Sequence, residues 1–310
     1  MQCHSSNSRF FGRRTVLLGS VAAAAASTMA LRATPASVPP GTIPFGAYDP
    51  GGDFSDATDV AIEHLFLPWE DVAIESLFDA DRYARARGRS LLVTLEPWTW
   101  SRDARNTPGT LRRGISSGAH DETMRSICEV LAALQSPVTL RWGHEMDNDK
   151  GQFIWSAWRP EDFISAYRRM TSIAREAIPG VKLMWSPLGD AGMEVYYPGD
   201  DLVDLTGLSV FGLQAWDRAK YGRDRSFAEI LGPRYDRATR FGKPIMVAEL
   251  GYSGDAGYIA AWDRDVRSLT TRFPALVGVV YFNQAEVHDW PDGFGRPDWR
   301  VNERLVQLSS

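Results

Sequence analysis

Pro244-Ile245-Met246-Val247-Ala248-Glu249-Leu250-Gly251 is a run of strand-forming apolar residues interrupted by one glutamate, and Arg141-Trp142-Gly143-His144-Glu145-Met146-Asp147 closes a second such run in the same way. A carboxylate at the C-terminal tip of a strand buried on both faces costs free energy unless it has partners or a task. Six more runs of this type recur along the chain, so that the full set is 43–48, 62–68, 90–96, 138–144, 181–186, 205–211, 244–250 and 277–283. They are too apolar and too β-branched for surface strands, which is the pattern of parallel strands covered on both faces.

Helical patterns lie between these runs. Phe163, Ala166, Tyr167, Met170, Ile173, Ala174 and Ala177 form an i, i+3, i+4 stripe that opens at Pro160 and stops at Pro179-Gly180. Leu77, Phe78 and Asp81 to Tyr83 begin another helical stretch that ends before Gly88. Strand and helix alternating eight times predict a single (β/α)8 TIM barrel over residues 42–308, of α/β class. The chain's 310 residues suit such a barrel, and its 44% hydrophobic and 24% charged residues are ordinary globular values.

Residues 1–36 read as an export signal outside the barrel. Arg13-Arg14 precedes the apolar, alanine-rich run from Val16 to Ala30, and small residues then offer a cleavage site. A twin-arginine signal implies an exported, periplasmic or extracellular protein. The alternative is an uncleaved anchor, against which the run is short for a membrane span. Loss of Arg9, Arg13, Arg14 and Arg32, with no acid among them, takes the formal charge from −5 to −9. An acidic chain without a basic stripe is a poor nucleic-acid binder. Of the two cysteines, Cys3 leaves with the signal, and Cys128 sits at helical spacing with Met124, Ile127 and Leu131 as a core thiol. The mature chain is expected to be a monomer with no stable membrane association, no metal and no cofactor.

In a barrel of this class, function sits at the C-terminal ends of the strands. The residues just beyond the runs include Tyr48, Glu96, Trp98, Glu145, Trp185, Gln214, Trp216, Glu249 and Gln284, most of them suited to gripping a sugar. Eleven tryptophans exceed core needs and suit flat sugar faces. Residues two apart in a strand share a face, so Arg141, Gly143 and Glu145 are expected to point one way. By the same rule Ile245, Val247 and Glu249 share a side. Two glutamates turned into one barrel mouth are the equipment for splitting a glycosidic bond. A zinc reading of His144-Glu145 fails because Asn148 stands where a second histidine is needed. Asp147 to Gly151 lacks the bidentate glutamate of a calcium loop.

The segment His144-Glu145-Met146-Asp147, followed by Phe153-Ile154-Trp155-Ser156 and Pro160-Glu161-Asp162-Phe163, resembles glycoside hydrolase family 26, the β-mannanase family of the retaining barrel clan. The resemblance continues through Trp185-Ser186-Pro187, Tyr196 to Asp200, Phe227 to Ile230, Val247-Ala248-Glu249 and Asp298-Trp299-Arg300. It implies Glu145 as acid/base, Glu249 as nucleophile, His144 on the sugar and Arg141 ordering the two carboxylates. Trp155 is implied on the leaving-group side of the cleft. Trp98, Trp216 and Trp290 are expected as stacking surfaces, with Trp185 and Gln214 as further substrate contacts. The implied substrate is a β-linked polysaccharide, first of all β-1,4-mannan. Mixed-linkage β-glucan, xylan or an exopolysaccharide are alternatives, as is a catalytically weak carbohydrate-binding barrel.

One departure bears on this reading. The family's sixth strand carries Gly-hydrophobic-Asp-x-Tyr, and that tyrosine bonds the nucleophile; here the stretch is Gly207-Leu208-Ser209-Val210-Phe211. Ser209, Gln214 or a water is expected to replace the lost donor, or else rate or substrate shifts. Asp147 adds an acid beside Glu145 and is expected to raise its pKa.

Overall fold

The computed structural model describes residues 43–70, 72–99, 107–268 and 272–301. The export signal proposed for residues 1–36 lies outside the described residues, as does the chain beyond 301. Eight parallel strands close into one barrel in chain order: β1 (Phe45–Tyr48), β2 (Val60–Pro68), β3 (Ser90–Glu96), β4 (Val138–Trp142), β5 (Lys182–Trp185), β6 (Leu205–Leu213), β7 (Ile245–Ser253) and β8 (Leu276–Phe282). Each lies within a few residues of the run expected for it.

The helices are α1 (Leu77–Ala86), α2 (Pro108–Ser117), α3 (Asp121–Ala133), α4 (Pro160–Ala177), α5 (Gln214–Tyr221), α6 (Phe227–Ala238) and α7 (Ala256–Arg267). Caps set several of their ends. Pro160 opens α4, where a missing N–H costs nothing, and Ser226 with Glu229 forms a capping box on α6. Helices do not follow every strand as the sequence predicted. The β1–β2 connection has turns only, and β5–β6 has short 3-10 turns. Aromatic rings take the absent helix's place outside β5: Trp185 meets Tyr197 at 5.2 Å and Phe241 at 5.1 Å, and those two stack at 4.1 Å.

The barrel interior is filled by Ile62, Leu92, Met184, Leu205, Met246, Ala248 and Val280, which form one cluster. The larger core, with Leu140, Trp142, Trp185, Ile245 and Val247, lies between strands and helices. Strict alternation on β7 would therefore send Glu249 outward with Ile245 and Val247. A bulge prevents this. Leu208 pairs with Val247 and Ser209 with Glu249, so Ala248 is the extra residue, and pairing with β8 also shifts between Val247 and Leu250. Two successive residues thereby face inward. Glu249 reaches the mouth by a bulge, and the simple two-residue rule applied to the sequence assigned it the wrong strand neighbours.

Candidate active site

The mouth of the barrel opens into a cleft of about 1840 Å³ lined by Glu145, Glu249, His144, Trp98, Trp216 and Trp290 among others. β4 ends at Trp142, two residues earlier than expected, and the backbone then turns through left-handed conformations at Gly143 (φ 57°) and Glu145 (φ 51°). A non-glycine residue in that region is strained and persists only where its surroundings hold it. The Glu145 amide donates to the Ser186 carbonyl at 2.7 Å, just past β5, and supplies part of that hold.

Glu249 receives a 2.6 Å hydrogen bond from an Arg141 terminal nitrogen, and Arg141 is fully buried on β4. The Arg141 Nε donates to Ser186 Oγ at 2.8 Å, which fixes the guanidinium against β5. Glu145 accepts a 2.6 Å bond from Ser209 Oγ. Burial pushes the Glu145 carboxyl up, and the negative charge of Glu249 pushes it further, to about 7 despite the opposing Ser209 bond and Arg141 charge. Asp147 adds in the same upward direction, as expected. For Glu249, burial likewise raises the pKa overall, and the direct Arg141 contact opposes that rise by favouring the ionised form. The two carboxyls share a mouth and differ in environment: one has a cation in contact, the other a hydroxyl.

His144 Nε2 lies 4.0 Å from Glu249 Oε1. Burial and the nearby Arg141 lower its pKa well below the ordinary histidine value, so the ring is neutral and the contact is not an ion pair. Its Nδ1 finds no hydrogen-bond partner among the described residues. The buried indole N–H of Trp290 is likewise without an acceptor there.

Three expected substrate contacts lie elsewhere. Trp155 is fully buried, stacks on Phe153 at 4.7 Å and donates its N–H to the His144 carbonyl at 2.6 Å, so it supports the cleft wall from behind. Trp185 points out of the barrel into the aromatic cluster outside β5. Gln214 is buried at the start of α5 and spends its side chain on Asp224, Asp255 and the Asp255 amide. Length and position near a strand end suggested all three; the face each one takes was not legible from position alone.

Among the described residues none replaces the lost tyrosine. Ser209 serves Glu145, Gln214 is elsewhere, and Phe211 packs on Trp299, Phe282 and Trp290. The sequence reading also passed over His64, Phe66 and Phe282, which line the cleft. The signal was present: Ile62, His64 and Phe66 alternate on β2, and Ile62 belongs to the barrel interior.

No family model matches the chain. It is 24% identical over 222 residues to endoglucanase H of Acetivibrio thermocellus, an alignment covering 66% of this chain and 23% of that protein. It is 29% identical over 115 residues to a β-1,3-xylanase of an Alcaligenes species, covering 34% of this chain and 24% of the other. The chain thus spans about a quarter of the length of these curated relatives. Among solved structures, a family 26 β-mannanase of Bacteroides ovatus superimposes with a TM-score of 0.58 at 18% identity, over 78% of this chain and 81% of that one. The chain therefore shares the barrel fold of solved family 26 glycoside hydrolases, the family its sequence motifs resemble.

Proposed function

We propose that the protein is a retaining, endo-acting glycoside hydrolase of β-linked polysaccharides, with Glu249 as nucleophile and Glu145 as acid/base. The observation that carries this reading is the division between the two buried glutamates. The one touching Arg141 has a cation that favours its ionised form against the upward push of burial, and the one touching Ser209, with no cation in contact, is pushed up to about 7. In the first step Glu249 attacks the anomeric carbon while the leaving oxygen takes the Glu145 proton. In the second, Glu145 removes a proton from water as that water displaces Glu249 from the sugar. The mechanism requires the carboxyls to lie roughly 5–5.5 Å apart.

Acidic side chains outnumber basic ones along the cleft, which disfavours polyanionic polymers and supports a neutral glycan. The solved neighbour is a β-mannanase, and the sequence relatives are an endoglucanase and β-1,3-xylanases. β-1,4-Mannan is the first substrate to test. Export through the twin-arginine segment belongs to the same proposal.

The test is reducing-sugar release from mannan, glucomannan, mixed-linkage β-glucan, cellulose and β-1,3- and β-1,4-xylans. Glu145→Ala and Glu249→Ala serve as controls. Glutamate-dependent release from any polymer sustains the reading. Wild-type rates in the Glu249→Ala protein would overturn the nucleophile. A second reading, a barrel that binds carbohydrate but cuts it slowly, is favoured by the missing donor at Phe211. It predicts oligosaccharide binding without release from any polymer.

A further inference from the structure

Glu145 holds a left-handed backbone that a residue with a side chain tends to leave, and relaxing it would swing its carboxyl off Ser209. The bond from its amide to the Ser186 carbonyl is one restraint. Two residues on, Asp147 supplies another. Its carboxylate accepts the Leu188 amide at 2.7 Å and, more weakly, the Gly189 amide at 3.4 Å. The turn that carries Glu145 is thus joined to the exit of β5 at three points. On its other side Ala157, itself left-handed at φ 53°, donates its amide to the Met146 carbonyl at 2.9 Å.

The exit of β5 is in turn fixed to the barrel. Gly189 has φ 92°, and a Cβ there would stand 2.8 Å from a Leu208 methyl and 3.0 Å from the Arg234 Cβ, so this backbone lies tight against β6 and α6. Arg237 of α6 donates to the Gly189 carbonyl at 2.9 Å. Arg234, one turn earlier, reaches Asp190 at 3.2 Å and gives a second nitrogen to the Ser209 carbonyl. The path therefore closes on itself. It runs from the Glu145 backbone through Asp147, the segment 188–190, α6 and Ser209, and returns to the Glu145 carboxyl. Asp147 is the link in it that a single side chain supplies to the backbone end.

We propose that Asp147 is a positioning residue for the acid/base, clasping the exit of β5 so that the Glu145 carboxyl stays aimed at the leaving oxygen. It touches no reacting atom. This rests on the hydrolase reading for what Glu145 does, and deepens it by naming what holds the acid in place. The negative charge of Asp147 acts alongside the clasp, favouring the protonated form of Glu145 together with burial and Glu249, against Arg141 and the Ser209 bond.

The experiment compares Asp147→Ala and Asp147→Asn with the wild-type full chain on paired substrates. The pairs are mannan with dinitrophenyl β-mannobioside, β-glucan with the cellobioside, and xylan with the xylobioside. The polymer's leaving alkoxide needs the Glu145 proton; the dinitrophenolate does not, and kcat/KM reports the first step for both. Loss of the clasp misplaces the acid, so Asp147→Ala should lose about 10- to 100-fold in kcat/KM on the polymer. On the matching aryl glycoside it should stay within about threefold of wild type, which also shows the barrel intact. Asp147→Asn keeps an oxygen for the Leu188 amide and loses the charge. It should restore most of the polymer rate, with the basic limb of its pH profile moved to lower pH.

Equal losses on polymer and aryl glycoside in Asp147→Ala, or no loss on the polymer, overturn the proposal and leave the hydrolase reading standing. So does an Asp147→Asn protein as slow on the polymer as Asp147→Ala. A folded wild-type chain that cleaves no member of any pair would instead sink the hydrolase reading, and the role of Asp147 with it.

Discussion

Ser209 stands in register beside Glu249 on the neighbouring strand, yet gives its hydroxyl to Glu145 at 2.6 Å. One small residue on β6 is thus the register neighbour of one glutamate and hydrogen-bonded to the carboxylate of the other. Its carbonyl is in turn held by Arg234 of α6 at 2.5 Å, and Arg234 is steadied by Asp190. Under the proposed mechanism Ser209 is a positioning residue for the acid/base.

The pH profile follows from the two environments. Glu145 must be protonated to assist departure of the leaving group, so kcat/KM should fall as pH rises through about 7. Glu249 must be ionised, so activity should also fall on the acid side, giving a bell. A rate that stays flat from neutral pH to pH ~9 would remove Glu145 from the acid role. In Ser209→Ala the bond that lowers the Glu145 pKa is gone, so the basic limb should move upward by about one unit. Ser209→Thr should restore it, which a purely structural role would not require.

Arg141 is fully buried, and Glu249 nearly so. Removing only the cation in Arg141→Met leaves an uncompensated buried carboxylate, with an expected loss of about 3–5 kcal/mol of stability. The acid limb should also rise in pH, since the contact that favours ionised Glu249 is lost. Adding Glu249→Gln should recover most of the stability, as read by chemical denaturation. A double variant as unstable as Arg141→Met would show that the pair is not what Arg141 supports.

Trp155 and Trp216 should separate by assay. Trp155→Phe keeps the stacking on Phe153 but leaves the His144 carbonyl without its donor, so stability should drop by about 1–3 kcal/mol with KM nearly unchanged. Trp216 is half-buried on the cleft wall, held by Asp292 through its N–H, with Lys220 over its ring at 5.0 Å. Trp216→Ala should raise KM about 3- to 10-fold, the worth of one aromatic face, with little change in the denaturation midpoint.

Leaving-group dependence tests the acid directly. Glu145→Ala should lose about 10²–10⁴-fold on a polymer, whose departing alkoxide needs a proton. An aryl β-glycoside with a strongly acidic phenol needs none, and its first step should survive largely intact. Equal losses on both would place Glu145 outside proton transfer.

The barrel itself was legible because parallel strands covered on both faces run apolar over several successive residues, as Leu91 to Val93 and Ile245 to Ala248 do. The two glutamates were legible for the opposite reason, being charges where that pattern forbids them. Side-chain direction was less so. Trp185 is adjacent to the inward Ser186 and faces away, because successive strand residues alternate and an aromatic cluster waits outside β5. The helix-free β5–β6 connection that creates this demand has no marker in the runs themselves. The Ala248 bulge is equally silent: its register is a property of two strands together.

That bulge has a consequence for descent. A strand with period two puts a side chain on the opposite face for every residue gained or lost. Deleting Ala248 would straighten β7 and leave Glu249 facing inward by plain alternation, whereas deleting a neighbouring residue with the bulge kept would carry the carboxylate into the helix shell, away from the cleft. Substitutions can explore this stretch one at a time, but a change of length there is survivable only where the bulge is lost or gained with it. Among descendants of this gene, the count of residues from Ile245 to Glu249 should change only together with the bulge, while other insertions and deletions accumulate in the connecting loops.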